Sequence, residues 1–121
     1  MTHPIPKLYI KGNVKINGGH MYPEVVRIIN VARATAPETE DGAIWITSGA
    51  ELAPHRLPNS FHYQNQAFDF RVSNVVGGEE AAKRWKSRMA LALGGDYDVV
   101  WKGNHIHVEF DPDTNQENLN G

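Results

Sequence analysis

The feature that most constrains the fold of this chain is a strict alternation of apolar and polar residues near its C-terminus. The six residues concerned are His105, Ile106, His107, Val108, Glu109 and Phe110. Because successive side chains of a strand point to opposite faces, the alternation predicts a strand whose apolar face packs against a core. The other face carries two imidazoles and one carboxylate in a row. A face that only contacts solvent would be served equally well by any polar residues, so this particular set is a candidate for chemistry.

Two other segments have the periodicity of amphipathic helices. In residues 22–36, Pro23 suits the first helical position and apolar residues recur at helical spacing. Residues 79–93 begin with acidic residues and end at a glycine pair, as helices commonly do. The residues predicted to line the inner side of this second helix are Ala82, Trp85, Met89 and Ala92.

The remaining regular segments are typical of short strands, at 43–47, 66–72 and 98–101. Residues 8–16 predict a strand, a turn at Gly12-Asn13 and room for a second short strand. The short turn between the last of these and the C-terminal strand predicts an antiparallel hairpin. Helices and strands do not alternate regularly along the chain. We therefore predict an α+β fold, with a small antiparallel sheet and helices packed mainly on one face.

Composition limits the class of protein. The chain has 121 residues, a formal net charge of -2 and 40% hydrophobic residues, which indicates a single folded domain, 1–121. Its slight negative charge argues against nucleic acid as a partner. Nothing in the sequence demands a second copy, so we expect a monomer. The polar residues 111–121 are expected to form a flexible tail.

The sequence also bears on location. No apolar run approaches the roughly 20 residues that cross a bilayer, so membrane insertion is not expected. The first residues lack the apolar segment and cleavage site of a signal peptide. We expect a protein that is made in the cytoplasm and that needs another route to act outside it.

Six histidines and no cysteine mean that any metal would be held by imidazole or carboxylate groups. His62 precedes a predicted strand in which Asp69 lies between two phenylalanines. Strands disfavour aspartate, and a buried carboxylate needs a partner such as a cation. Catalytic zinc uses three protein ligands and keeps water in the fourth position. His62, Asp69 and one histidine of the last strand would supply three ligands, and the other histidine would act as a proton shuttle.

The same residues have ordinary structural interpretations. H-x-H pairs are common on exposed strands, and Asp69 could pair with Arg71 across one pleat or cap a turn. Core positions, rather than ligand platforms, are expected for the three tryptophans, Trp45, Trp85 and Trp101. Loop or surface positions are expected for the other three histidines, His3, His20 and His55.

The order of these residues resembles the superfamily of zinc D-alanyl-D-alanine metallopeptidases, lysostaphin-type enzymes and the hedgehog signalling domain. The resemblance spans residues 22–110 and rests on three motifs: Thr47-Ser48-Gly49, the run from Ser60 through His62 to Asp69, and His105-x-His107. It implies a hedgehog/DD-peptidase-like fold in which His62, Asp69 and His107 bind zinc (Zn2+). His105 would lie beside the metal-bound water.

The implied activity is hydrolysis of peptide bonds in bacterial cell-wall peptidoglycan, next to a D-amino acid. The enzyme would be a D-Ala-D-Ala carboxypeptidase or an endolysin-type endopeptidase, with the peptidoglycan stem peptide as its partner. Small phage endolysins are similar in length. By this resemblance the chain would act on the cell wall once released, for example during phage lysis.

Three departures from the family pattern affect the predicted chemistry. Asn65 replaces a usual glycine, and Lys102-Gly103-Asn104 lacks the acidic base that commonly precedes the last ligand. Ala50-Glu51 stands where the family has an arginine that steadies the oxyanion. For the base, the candidates are His105, Glu109 and Asp98, with His105 favoured. For the oxyanion, the candidates are Arg56 and Arg71, and Glu109 or Asp98 could fix an imidazole tautomer.

The missing acid and arginine also keep open two functions without catalysis. One is a hedgehog-like zinc-binding module that recognises wall peptide or a protein partner without hydrolysis. The other is a structural virion component with an incidental H-x-H pair. Zinc-dependent release of a hydrolysis product would distinguish the peptidase from both.

Overall fold

The computed structural model describes residues 5–12, 23–48 and 67–111. In chain order the elements are β1 (Lys7–Ile10), α1 (Pro23–Thr35), β2 (Ala43–Ser48), β3 (Ala67–Arg71), α2 (Gly78–Leu93), β4 (Tyr97–Trp101) and β5 (His105–Phe110). Two helices therefore pack against a five-stranded sheet, which confirms the α+β fold class. Neither of the helices described is long and apolar enough to cross a membrane.

The sheet has the strand order β1-β2-β3-β5-β4. Three neighbouring pairs are antiparallel, including the predicted β4–β5 hairpin. The pair β1–β2 is parallel. The sheet is therefore mixed, whereas the sequence predicted an antiparallel sheet. A parallel pair needs a long crossover, and the segment between β1 and β2, which contains α1, is long enough to provide it.

Helix α1 begins at Pro23, as predicted, because proline supplies the φ angle of a first helical residue and needs no hydrogen-bond partner for its nitrogen. Its buried stripe consists of Val25, Ile28 and Ala32. The helix ends at Thr35, two residues before Pro37, since proline cannot continue the hydrogen-bond pattern.

Helix α2 starts one residue earlier than predicted and ends at Leu93, before Gly94, which has a φ of 92°. Ala82, Trp85 and Met89 are buried, as predicted. The prediction for Ala92 was wrong, because Ala92 is exposed and Leu93 completes the buried stripe. Because an α-helix has 3.6 residues per turn, Leu93, four residues after Met89, lies on the same side of the helix as Met89.

The hydrophobic core lies between the two helices and one face of the sheet. The sheet residues of this core are Ile44, Ile46, Phe68, Phe70, Ile106 and Val108. Trp85 joins the two helices, because its indole N–H donates to the carbonyl oxygen of Ala32 at 3.2 Å. By strand alternation, the residues between these core positions face away from the helices.

The three tryptophans differ in position. Trp85 is fully buried in the core, as predicted, and Trp101 is partly buried against it. Trp45 corrects the prediction, because it lies between Ile44 and Ile46 and therefore faces away from the helices. There it packs edge-on against Tyr9, with ring centroids 4.9 Å apart.

Several predictions concern residues outside the described ranges. They include the predicted ligand His62, the oxyanion candidate Arg56, the possible second strand after the turn at Gly12-Asn13 and the tail from 112 to 121. Asp111, the first residue of the predicted tail, is described, and its backbone N–H donates to the carbonyl oxygen of Asp96 at 2.7 Å.

Candidate functional site

The candidate site lies on the sheet face that the helices leave uncovered. Strands β3 and β5 are antiparallel neighbours, and their register pairs Asp69 with His107 and Arg71 with His105. Directly opposed side chains on one face lie close enough to interact. The alternation of β5 therefore places both histidines beside the polar side chains of β3.

His107 lies between two carboxylates. Its Nδ1 is 2.7 Å from Oδ1 of Asp69, and its Nε2 is 2.8 Å from Oε1 of Glu109. The hydrogen bond to Asp69 is the main cause, and that to Glu109 the second, of a pKa of His107 raised from 6.5 to about 9. Burial acts in the opposite direction. At neutral pH the metal-free imidazole is therefore protonated and donates from both nitrogens.

His105 is held in one orientation by its neighbour. Its Nδ1 is 2.6 Å from Oδ1 of Asn104, and its Nε2 is 3.6 Å from Oδ2 of Asp69. An amide oxygen can only accept, so Nδ1 carries the proton and donates to it. Consequently Nε2 points toward Asp69, whose two carboxylate oxygens each face one histidine.

A group of three carboxylates adjoins this row: Asp98, Glu109 and Asp111. One ligand oxygen from each lies within 4.8 Å of the others, so the group could hold a metal ion. The pKa of Asp98 is raised, first by burial and then by the negative charges of Asp111 and Glu109. A bound cation would relieve both effects.

The structure brings together four of the predicted site residues: Asp69, His105, His107 and Glu109. The predicted ligand His62 and the predicted arginine Arg56 lie outside the described residues. Asp98, a candidate base in the sequence, lies opposite Glu109 in the β4–β5 register and belongs to the acidic group.

Sequence reasoning missed Asn104 and Asp111. The residue Asn104 was noted only as part of a turn that lacks an acid, and Asp111 was assigned to the tail. The period of two could have found Asp111, because it continues the series of His107 and Glu109 on one face. The contact of Asn104 with His105 has no comparable signal, because it depends on the geometry of the turn.

Arg71 lies beside His105, at the opposite end of the row from the acidic group. The alternative in which it pairs with Asp69 is not observed, because the contacts of the Asp69 carboxylate among the described residues are with the two histidines. The guanidinium carbon of Arg71 lies 4.6 Å from the centroid of the Trp45 ring. The indole N–H of Trp45 donates to Oδ2 of Asp41 at 2.7 Å, so the cation lies over a ring that is itself anchored.

Neither a family model nor a curated protein sequence matches this chain. The superfamily resemblance therefore rests on the motif residues alone. Among the residues that the structure describes, those motif residues are Thr47, Asp69, His105 and His107, together with the backbone of Ser48.

Proposed function

We propose that this chain is a zinc-dependent peptidase that hydrolyses peptide bonds of bacterial cell-wall peptidoglycan. The observation that carries the proposal is the contact between Asp69 and Nδ1 of His107, at 2.7 Å, with Glu109 on the opposite ring nitrogen. Asp69 and His107 are two of the zinc ligands that the motif resemblance implies, and Glu109 is a candidate group for fixing an imidazole tautomer.

The donor set fits zinc. Asp69 would supply a carboxylate oxygen and His107 an imidazole nitrogen, both of which zinc accepts, and these two atoms already lie 2.7 Å apart. His62 would be the third ligand. Imidazole nitrogen favours zinc over magnesium or calcium, which prefer oxygen ligands such as those of the acidic group.

Glu109 supports the same assignment. Histidines that bind a metal usually donate their other N–H to a carboxylate, which orients the ring and increases its basicity. The contact of Glu109 with Nε2 of His107 has this form and leaves Nδ1 directed at Asp69. Zinc binding would replace the proton on Nδ1 and keep the other contact.

When bound, zinc would activate a water molecule and polarise the scissile carbonyl. His105 would accept the proton at Nε2, because Asn104 occupies Nδ1 and leaves Nε2 facing the site. Arg56 would stabilise the developing negative charge on the carbonyl oxygen. The acid missing before the last ligand would thus be replaced by an oriented imidazole.

Digestion of purified bacterial peptidoglycan tests this proposal. The protein would be incubated with zinc or with a chelator, and new amine ends would be identified by mass spectrometry. We expect zinc-dependent release that the variant His62→Ala abolishes and that the variant His55→Ala, at a histidine that no motif of the resemblance includes, retains. Release that persists in the chelator, or no release by the zinc-loaded protein, would contradict the proposal.

A second candidate is a zinc-binding module that recognises wall peptide or a protein partner without hydrolysis. It is favoured by the amide of Asn104, which occupies the turn where the related enzymes carry an acid. One zinc ion per chain, peptide binding and no released product would together select this function.

A further inference from the structure

We infer that Arg71 is a carboxylate-binding residue that selects peptides with a carboxylate near the bond held at Asp69 and His107. This inference rests on the proposed function for the position of that bond, and it adds the substrate class. Three observations carry it: the fixed position of the guanidinium, its place in the site and the distribution of charge.

The guanidinium is fixed before any ligand arrives. Its central carbon lies over Trp45, 4.6 Å from the ring centroid, and the indole N–H of Trp45 donates to Asp41 while its ring contacts Tyr9. This cation–π contact with an anchored ring restrains the position of the guanidinium. A fixed planar fork loses little side-chain entropy when it binds a carboxylate through two parallel hydrogen bonds.

No other described residue neutralises this cation. Within the ranges that the structure covers, the carboxylate of Asp69 is directed at His105 and His107, and no ion pair involves Arg71. The guanidinium therefore has capacity for an external anion.

The position of Arg71 sets the distance to the reacting bond. Arg71 lies two residues from Asp69 on β3 and opposite His105 in the register. Two residues of a strand span about 7 Å, and so do two residues of an extended peptide. The recognised carboxylate would therefore lie one or two residues from the bond at Asp69 and His107.

The charge of the site gives this recognition a direction. Arg71 lies opposite His105, at the start of β5. The acidic group of Asp98, Glu109 and Asp111 lies toward the end of β5, beyond His107. An anionic ligand is repelled at the acidic end and attracted at the arginine end. A peptide would therefore place its carboxylate toward Arg71.

Two carboxylates of a wall peptide could fill this role, the C-terminal one and the α-carboxylate of its D-glutamate. Three synthetic pentapeptides of the sequence L-Ala-γ-D-Glu-L-Lys-D-Ala-D-Ala distinguish them. The first is unmodified, the second has a C-terminal amide, and the third has the D-glutamate α-carboxylate as an amide. Dissociation constants would be measured by calorimetry on chelator-treated protein, and kcat and KM on zinc-loaded protein.

We expect one of the two amides to bind wild-type protein roughly tenfold or more weakly than the unmodified peptide, as for a lost charge-assisted hydrogen-bond pair. Arg71→Gln should weaken the binding of the unmodified peptide by a similar factor. It should also remove the difference in affinity between that peptide and the amide. Arg71→Lys keeps the charge without the fork and should recover only part of the affinity. With hydrolysis, the loss should appear mainly in KM.

Lys83→Gln is the matched control, because Lys83 also lies over a ring, that of Trp101 at 5.8 Å, but on an exposed part of α2. It should leave all three affinities unchanged. Equal affinities of wild-type protein for the three peptides, no effect of Arg71→Gln in a normally folded variant, or no binding of any peptide would overturn the inference. Carboxylate-dependent binding without hydrolysis would overturn the proposed function alone.

Discussion

Two carboxylates, Asp41 and Asp69, each have side-chain partners facing both oxygens, and these partners differ in kind. Asp41 accepts from the indole of Trp45 at 2.7 Å and from the amide of Asn74 at 2.9 Å. Asp69 is in contact with the imidazole of His107 at 2.7 Å and faces that of His105 at the longer distance of 3.6 Å. The two carboxylates therefore differ both in their contacts and in the chemistry available to each.

The difference lies in what the partners can exchange. Indole and amide N–H groups keep their protons at any physiological pH and offer no lone pair to a cation. An imidazole can release its proton and bind a metal with the same nitrogen. Asp41 therefore belongs to a permanent structural connection, whereas under the proposed function Asp69 belongs to a site in which a proton and a metal ion would compete.

The largest expected effect separates the two carboxylates by metal binding. Asp69→Asn should lose zinc and reduce hydrolysis by roughly 100-fold or more, because a ligand is lost and not only its support. Asp41→Asn should keep one zinc per chain. Elemental analysis and the peptidoglycan digest measure both, and equal zinc contents in the two variants would remove the proposed distinction.

Glu109 offers the next test, because its contact with the proposed zinc ligands, among the described residues, is with His107. Glu109→Ala should weaken zinc binding by roughly 10- to 100-fold without abolishing it, as for other carboxylates that support a metal-bound histidine. Competition with a chromogenic chelator would give the affinity. Glu79→Ala, which removes an exposed carboxylate of α2, is the control and should bind zinc normally. An unchanged affinity in Glu109→Ala would show that its contact with His107 does not support the metal.

On the structural side, Asn74→Ala should reduce the free energy of unfolding by about 1–3 kcal/mol, since it leaves the buried carbonyl oxygen of Ala43 without this donor. The side chain of Asn74 is buried and donates to both Asp41 and the carbonyl oxygen of Ala43. Urea denaturation measures the change. Zinc content should stay at the wild-type value, and its loss would mean that the two networks are coupled.

The smallest effect is a difference in pH dependence. In the metal-free protein, the raised pKa of His107 gives stability that is present below pH 6.5 and is lost as the pH rises through about 9. The lowered pKa of Asp41 gives stability that is present above 3.8 and is lost as the pH falls below it. Thermal unfolding would be measured at acidic and at alkaline pH. The loss of stability at alkaline pH should disappear in His107→Gln, and the loss of stability at acidic pH should shrink in Asp41→Asn. The reverse assignment of the two losses would refute the electrostatic comparison.

Local patterns predicted most of the fold. The helical stripes and the alternation of β5 are properties of neighbouring residues, so both helices and the apolar face of the last strand followed directly. The parallel pairing of β1 with β2 did not follow, because it joins segments separated by a helix. Trp45 was misplaced for a related reason: a short apolar run does not show which of its residues faces the core.

The candidate site was predictable to the extent that it depends on strand alternation. His105, His107 and Glu109 share a face by the period of two, and Asp69 was conspicuous as an aspartate between aromatic residues. The pairing of Asp69 with His107 required the strand order. The contacts of Asn104 with His105, and of Arg71 with Trp45, depend on side-chain conformations that a sequence pattern does not encode.

The strand order also affects when the site forms during folding. Asp69 and His107 are 38 residues apart, and α2 and β4 lie between them in the chain. Bringing such distant residues together costs loop-closure entropy that only the contacts of the paired strands repay. The imidazole–carboxylate pair is therefore a marker of β3–β5 pairing, and shortened or partly folded chains that lack β5 would not form it.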